Sequence, residues 1–316
     1  MNEGVDGTVK RGTEHRTERA VHTYCTCMTI AGSDPSGGAG IEADLKTFAA
    51  LGCYGQAAIT ALTVQNTQEV KSAHAVDADL VKAQIETVWE DWMPDAVKIG
   101  MTGTTACIHA IACLVKRHEP QGCVLDPVMV SSSGYPLMSS DATDALVSEL
   151  MPLCKLITPN LPELRKLLQL TGCDPLRRWQ WREGTACPQG YNADVAGEMA
   201  RCLSDCLGGS SVLVKGGHAA GDANDVLWHQ GKAYAYSSPR VVTSNTHGTG
   251  CTLSSAIAAM MARGECLPDA VGKAKDYLTQ CLQNGAEVWA GHGNGAMNHF
   301  FAPQGALFQE KLLSLH

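Results

Sequence analysis

Apolar positions along the chain follow two rhythms in turn, and the alternation itself predicts a fold. The short apolar runs 22–32 ("HTYCTCMTIAG"), 55–65, 95–100, 122–129, 155–160 and 211–217 have the length and composition of interior strands. Between them lie stretches with helical spacing. "GIEADLKTFAALG" (40–52) is apolar at 41, 45, 48 and 51 and closes on Gly52. Residues 77–92 are amphipathic, 104–118 end on basic residues, and a further helix is expected from 161 to about 170. A hairpin turning at Gln230-Gly231 fits 225–237, and helices over 249–263 and about 269–285 close the chain. This order predicts an α/β fold with a mostly parallel central sheet and helices on both faces. Ligands of such sheets sit beyond the carboxyl ends of the strands.

Two stretches stand outside the rhythm. Residues 1–21 are polar and read as an extension. They have no apolar segment of the secretory kind, and Glu3, Asp6, Glu14 and Glu18 count against a transit peptide. Residues 171–194, rich in Gly, Pro, Arg and Trp, read as a loop inserted into one domain spanning 22–316. Composition narrows the function classes. A 316-residue chain with 45% hydrophobic residues and a net charge of −8 is globular and poorly suited to nucleic acid or an anionic membrane surface. No apolar run approaches the ~18 residues of a bilayer span, and a cytoplasmic location is expected. The 14 cysteines form no C-x-x-C and no zinc-like spacing with histidine, so most are expected as reduced packing residues.

The candidate chemistry gathers at the predicted strand ends. "SNTHGTGCTLSSAIAAMMA" (244–262) places Gly248, Thr249, Gly250 and Cys251 at the mouth of a helix. There, unpaired N–H groups and the helix dipole suit an anion; an ordinary capped turn is the alternative. "AGSDPSGGAGIEADLKTF" (31–48) is a glycine-rich loop entering a helix, without the phosphate-loop or dinucleotide pattern. Asp44, one turn into that helix, is expected to aim back at the loop and accept hydrogen bonds, or else to serve the helix dipole. Gln65 ends a second strand, Met101 follows a third and supplies an apolar wall, and Asp126 ends a fourth. Asn160 and Glu163 begin the next helix, and Lys215 ends another strand beside two glycines. An anion cradle, a cation for phosphates and two carboxylates for Mg²⁺ are the parts of phosphoryl transfer.

The motifs "AGSDPSGGAGIEADLKTF", "ITALTVQNT", "VKIGM", "VLDPVM", "LITPNLPE", "VLVKGGH" and "NTHGTGCTLSSAIAA" resemble, in order and spacing, the hydroxymethylpyrimidine/phosphomethylpyrimidine kinases of thiamine biosynthesis. That family is ribokinase-like, and the resemblance runs from about residue 24 to 300. It implies ATP-dependent phosphorylation of 4-amino-5-hydroxymethyl-2-methylpyrimidine, then of its monophosphate, and a homodimer. It implies that Asp44 and Gln65 bond the aminopyrimidine in a pocket lined by Gly32, Ala39 and Met101. It also implies that Asn160, Glu163 and Lys215 serve Mg·ATP, while Thr249, Gly250 and Cys251 hold the transferring phosphate. Cys251 stands where the wider superfamily has an aspartate base. The helix mouth would lower its pKa toward neutrality, making it a base, or it would only pack and bond the substrate hydroxyl. The sequence departs from the family in the extension, in the insert and at Ala296, where proline is common.

Three other readings compete. A thiol-bearing pyridoxal kinase acts on a similar flat hydroxymethyl heteroaromatic. A catalytically silent pyrimidine-binding relative would keep the pocket without turnover. A thiol hydrolase would pair Cys251 with His247, but the sequence offers no orienting acid.

Overall fold

The structure, a computed structural model, describes residues 18–131, 134–173, 178–182, 184–219 and 221–314. Its strands in chain order are β1 (Glu18–Tyr24), β2 (Thr26–Ser33), β3 (Tyr54–Gln65), β4 (Val70–Ala75), β5 (Ala96–Ile99), β6 (Cys123–Leu125), β7 (Leu156–Ile157), β8 (Ser211–Val214), β9 (Ala223–His229), β10 (Lys232–Ser238) and β11 (Phe308–Ser314). The main sheet has the order β10-β9-β8-β7-β6-β5-β2-β3-β4. Pairings from β3 through β2 to β8 are parallel; β4 and the β9–β10 hairpin add antiparallel edges. The expectation of a mostly parallel sheet is met.

The helices are α1 (Gly40–Ala50), α2 (Ala78–Asp91), α3 (Thr105–His118), α4 (Ser140–Ala145), α5 (Leu161–Leu170), α6 (Ala193–Cys206), α7 (Thr249–Ala262) and α8 (Leu267–Gly285). Alternation along the strands assigns them to two layers. Met28, Ile30, Val97, Ile99, Leu125, Ile157, Val212 and Val214 face the layer of α2 to α6. Cys27, Ala96, Val124, Leu156 and Leu213 face α1, α7 and α8. By the same alternation Lys98 points to the α1–α7 side, an unusual charge in a strand whose four residues are all buried.

Several boundaries differ from expectation. The run 22–32 is two strands, broken at Cys25, because β1 leaves the main sheet to pair antiparallel with β11. That strand takes in positions 18–21 of the stretch read as an extension; positions 1–17 lie outside the described residues. α4 was not expected. Its cap, Ser139 Oγ accepting from Ala142 N at 3.3 Å, opens a Ser/Asp-rich turn that continues as π and 3₁₀ turns to Leu153. In the insert, Trp179 and Trp181 are buried rather than displayed. Trp179 Nε1 donates to Glu198 Oε2 at 3.1 Å, and Trp181 Nε1 to Thr185 O at 3.2 Å. Among the described residues no helix is long and apolar enough to cross a membrane.

Candidate active site

Strand ends and helix mouths surround a cavity of about 810 Å³, within the range of small-molecule sites. Its lining includes Gly32, Ala39, Gln65, Met101, Asp126, Asn160, Glu163, Lys215, Gly248, Thr249, Gly250 and Cys251. Every residue singled out in the sequence is there except Asp44.

The helix mouth is built as a cradle. Gly248 caps α7 at φ 80°, with no side-chain cap. A Cβ at this position would collide with the Gly38 carbonyl oxygen, so the 38–40 loop and the cradle pack backbone to backbone. A Cβ on Gly250 would lie 3.3 Å from both Asp126 Oδ2 and Lys215 Nζ, so the bare backbone leaves that corner open. The Thr249 N–H reaches Thr246 O at 3.4 Å, while those of Gly250 and Cys251, in the first turn and without an intrahelical acceptor, are available to an anion.

The 34–39 loop is pinned from within. Asp34 accepts from Ser36 N (2.9 Å), Ser36 Oγ (2.7 Å), Gly38 N (3.2 Å) and Ala39 N (2.9 Å). His247 Nε2 donates to it at 2.8 Å, and the Gln65 amide reaches the same imidazole nitrogen at 3.1 Å. Burial raises the Asp34 pKa, but the bonds from His247 and Ser36 outweigh it and bring the carboxyl down to about 2. His247 thus has the acid partner that the sequence did not reveal. Yet among the described residues no hydrogen bond joins His247 to Cys251, and the hydrolase reading gains no support.

On the opposite wall, Lys215 Nζ donates to Asp126 Oδ1 at 2.7 Å, and Thr158 Oγ1 reaches the same oxygen at 3.2 Å. Asn160 and Glu163 form a capping box at the start of α5: Asn160 Oδ1 accepts from Glu163 N and Glu163 Oε2 from Asn160 N. Burial pushes the Glu163 carboxyl up to about 7; the Lys215 ammonium opposes this and Asp126 adds to it. Lys275 and Arg240 also line the cavity. Lys275 is paired with Asp225 at 2.6 Å, and Arg240 holds the carbonyls of Gly217, Ala219 and Gly221.

Asp44 requires a correction. It is fully buried and is not among the cavity-lining residues. Lys98 Nζ donates to both its oxygens (2.9 and 2.7 Å), Ser255 Oγ to Oδ1 (2.6 Å) and Thr29 Oγ1 to Oδ2 (2.6 Å). A carboxylate so saturated has no oxygen left for a pyrimidine; it organises the interior behind the site. The thiol also departs from expectation. Burial pushes Cys251 up to about 11, Asp44 and Asp126 add to the rise, and the Lys98 ammonium and the Gly40 N–H pull against it. In the protein alone Cys251 is therefore a thiol near neutral pH, not a poised thiolate. Sequence reasoning missed Asp34, Lys98 and Ser255; the legible signal was the lysine inside "AVKI".

The model of the family described as phosphomethylpyrimidine kinase matches residues 34–298. The chain belongs to the phosphomethylpyrimidine kinase family. The hydroxymethylpyrimidine/phosphomethylpyrimidine kinase of Escherichia coli is 42% identical over 276 residues, covering 87% of this chain and 97% of that protein. Among solved structures, the phosphomethylpyrimidine kinase of Clostridium difficile is 39% identical with a TM-score of 0.67, covering 81% of this chain and 99% of that one. The pyridoxal kinase of Bacillus subtilis, solved as an ADP complex, is 32% identical with a TM-score of 0.74, covering 88% and 98%. The family expectation and the ribokinase-like fold are borne out.

Proposed function

We propose that the chain is an ATP-dependent kinase of thiamine biosynthesis. It phosphorylates the hydroxymethyl group of 4-amino-5-hydroxymethyl-2-methylpyrimidine and then converts the monophosphate to the diphosphate. The observation that carries this reading is the convergence, in one cavity of a phosphomethylpyrimidine kinase family member, of the uncapped 248–251 helix mouth with Lys215, Asp126 and Glu163. Gln65 bonds the aminopyrimidine, whose ring lies against Gly32, Ala39 and Met101. Asn160, Thr249 and Lys215 hold the triphosphate.

Glu163 and Asp126 are the residues that would hold Mg²⁺. Among the described residues no group of three or more metal-ligating side chains gathers, which fits an ion bound by one or two carboxylates with phosphates and water. A buried carboxyl lifted to about 7 fits the same role, since a cation restores its charged form. When bound, the ion would neutralise phosphate charge. In the transfer, the acceptor oxygen forms a bond to the γ-phosphorus as the bond to the ADP oxygen breaks. Once Cys251 has lost its own proton to water, its thiolate takes the hydroxyl proton, and the amides of Thr249, Gly250 and Cys251 hold the charge on the phosphoryl oxygens. A cytoplasmic homodimer belongs to the same proposal.

A pyridoxal kinase activity is the second reading, favoured by the likeness to the B. subtilis enzyme. Product analysis with ATP and the pyrimidine alcohol separates the two, because only the proposed kinase carries its monophosphate on to a diphosphate.

A further inference from the structure

A lysine inside the four-residue interior strand β5 is chemically out of place. Lys98 has no solvent-exposed surface, yet it forms part of the cavity floor. Burying an ammonium and a carboxylate together is costly even when they are paired, and apolar residues would pack the same space as well or better. The position of the pair suggests what it is for. Asp44 on α1 accepts from Ser255 on α7, and Cys251 precedes Ser255 by one helical turn of α7. Lys98 donates to that same Asp44, so its ammonium lies about one turn beneath Cys251. Gly100 leaves the room: a Cβ there would lie 2.8 Å from Lys98 Nζ.

We propose that Lys98 is the counter-ion of the Cys251 thiolate and that Asp44 is the positioning residue that holds it and moderates its charge. Ionisation breaks the Cys251 S–H bond, the proton leaves to water through the cavity, and the negative sulfur stays opposite the ammonium. No electrons are exchanged. The charged groups around the sulfur are Lys98 on β5, Lys215 after β8, Asp44 on α1 and Asp126 after β6. Each lysine is paired with a carboxylate at 2.7 Å, Lys215 with Asp126 and Lys98 with Asp44; the Lys215–Asp126 pair is assigned to Mg·ATP, which leaves the Lys98–Asp44 pair to act on the sulfur. The inference rests on the kinase reading only for its purpose, a sulfur able to take the acceptor's proton.

The test needs neither ATP nor pyrimidine. Alkylation of the full-length protein by iodoacetamide at pH 9 is followed at Cys251 by peptide mass spectrometry, with exposed Cys113 as internal reference. Below its pKa, a thiol whose pKa rises by one unit loses about tenfold in thiolate but gains about threefold in thiolate nucleophilicity, a net slowing of about threefold, and a nearby charge moves the pKa by about one unit or more. Lys98→Met is expected to slow Cys251 at least about threefold. Asp44→Asn, which leaves the ammonium unopposed, is expected to speed it by a similar factor, with Cys113 unchanged in both. A purely structural pair would shift both variants in the same direction or neither, and that result overturns the proposal. If Lys98→Met does not fold, Asp44→Asn decides alone: acceleration supports the assignment, and slowing or no change refutes it. Failure of the kinase reading would appear in product analysis and leave these rates untouched.

Discussion

Position 248 admits glycine for two separate reasons. Its φ of 80° lies in the left-handed region, and the space a Cβ would fill belongs to the Gly38 carbonyl. A non-glycine residue in that conformation costs about 1–2 kcal/mol before any collision. Gly248→Ala is therefore expected to lose at least about 2 kcal/mol in a denaturant melt, and about 100-fold in kcat because the cradle amides move. Glu163 supplies a pH-dependent prediction. Its folded carboxyl, lifted by burial to about 7, lies above the ordinary 4.5. The folded state therefore loses stability as pH rises from about 4.5 to 7, on the order of 3 kcal/mol in all. In melts of the ligand-free protein, Glu163→Gln is expected to be more stable than the parent at pH 8, with the gain gone by pH 4.5, and to bind Mg·ATP more weakly. Residue types at strand ends and at a helix start made Lys215, Gln65 and Glu163 legible in the sequence. Asp44 misled because its place one turn into α1 is visible, whereas Lys98, Thr29 and Ser255, which consume its oxygens, come from three other elements.

At the scale of elements, periodicity located α1, α2, α3, α5, α7 and α8 to within a few residues, because each carries an apolar face that must meet the sheet. What it could not show was pairing between distant segments. β1 and β11 are close to three hundred residues apart, and nothing local announces that they meet. The insert hid its role for a similar reason. An Arg/Trp-rich run has the composition of an exposed patch, yet Trp181 is 1% exposed and packs beside α5 with Arg165 5.9 Å from its ring. Trp181→Ala is expected to destabilise the fold by about 3–5 kcal/mol, read by chemical denaturation, with KM for both substrates unchanged because the side chain is not part of the cavity lining.

For the whole molecule, the sheet order carries the argument. Parallel strands from β3 through β2 to β8 bring Gln65, Asp126 and Lys215 to one edge, and the α1–α7 layer brings Gly248 to Cys251 across from them. Convergence from so many elements was readable in outline from the strand–helix rhythm. The cavity it forms and the buried ion pair behind it depend on packing that no single stretch encodes. The family comparisons extend over nearly the whole of this arrangement, residues 34–298, and the B. subtilis pyridoxal kinase shares the same frame at a TM-score of 0.74. The most direct measurement is time-resolved mass spectrometry of products from Mg·ATP and 4-amino-5-hydroxymethyl-2-methylpyrimidine. The account predicts a monophosphate that rises and then falls as the diphosphate accumulates. A reaction that stops at the monophosphate, or phosphorylation of pyridoxal with none of the pyrimidine, would contradict it.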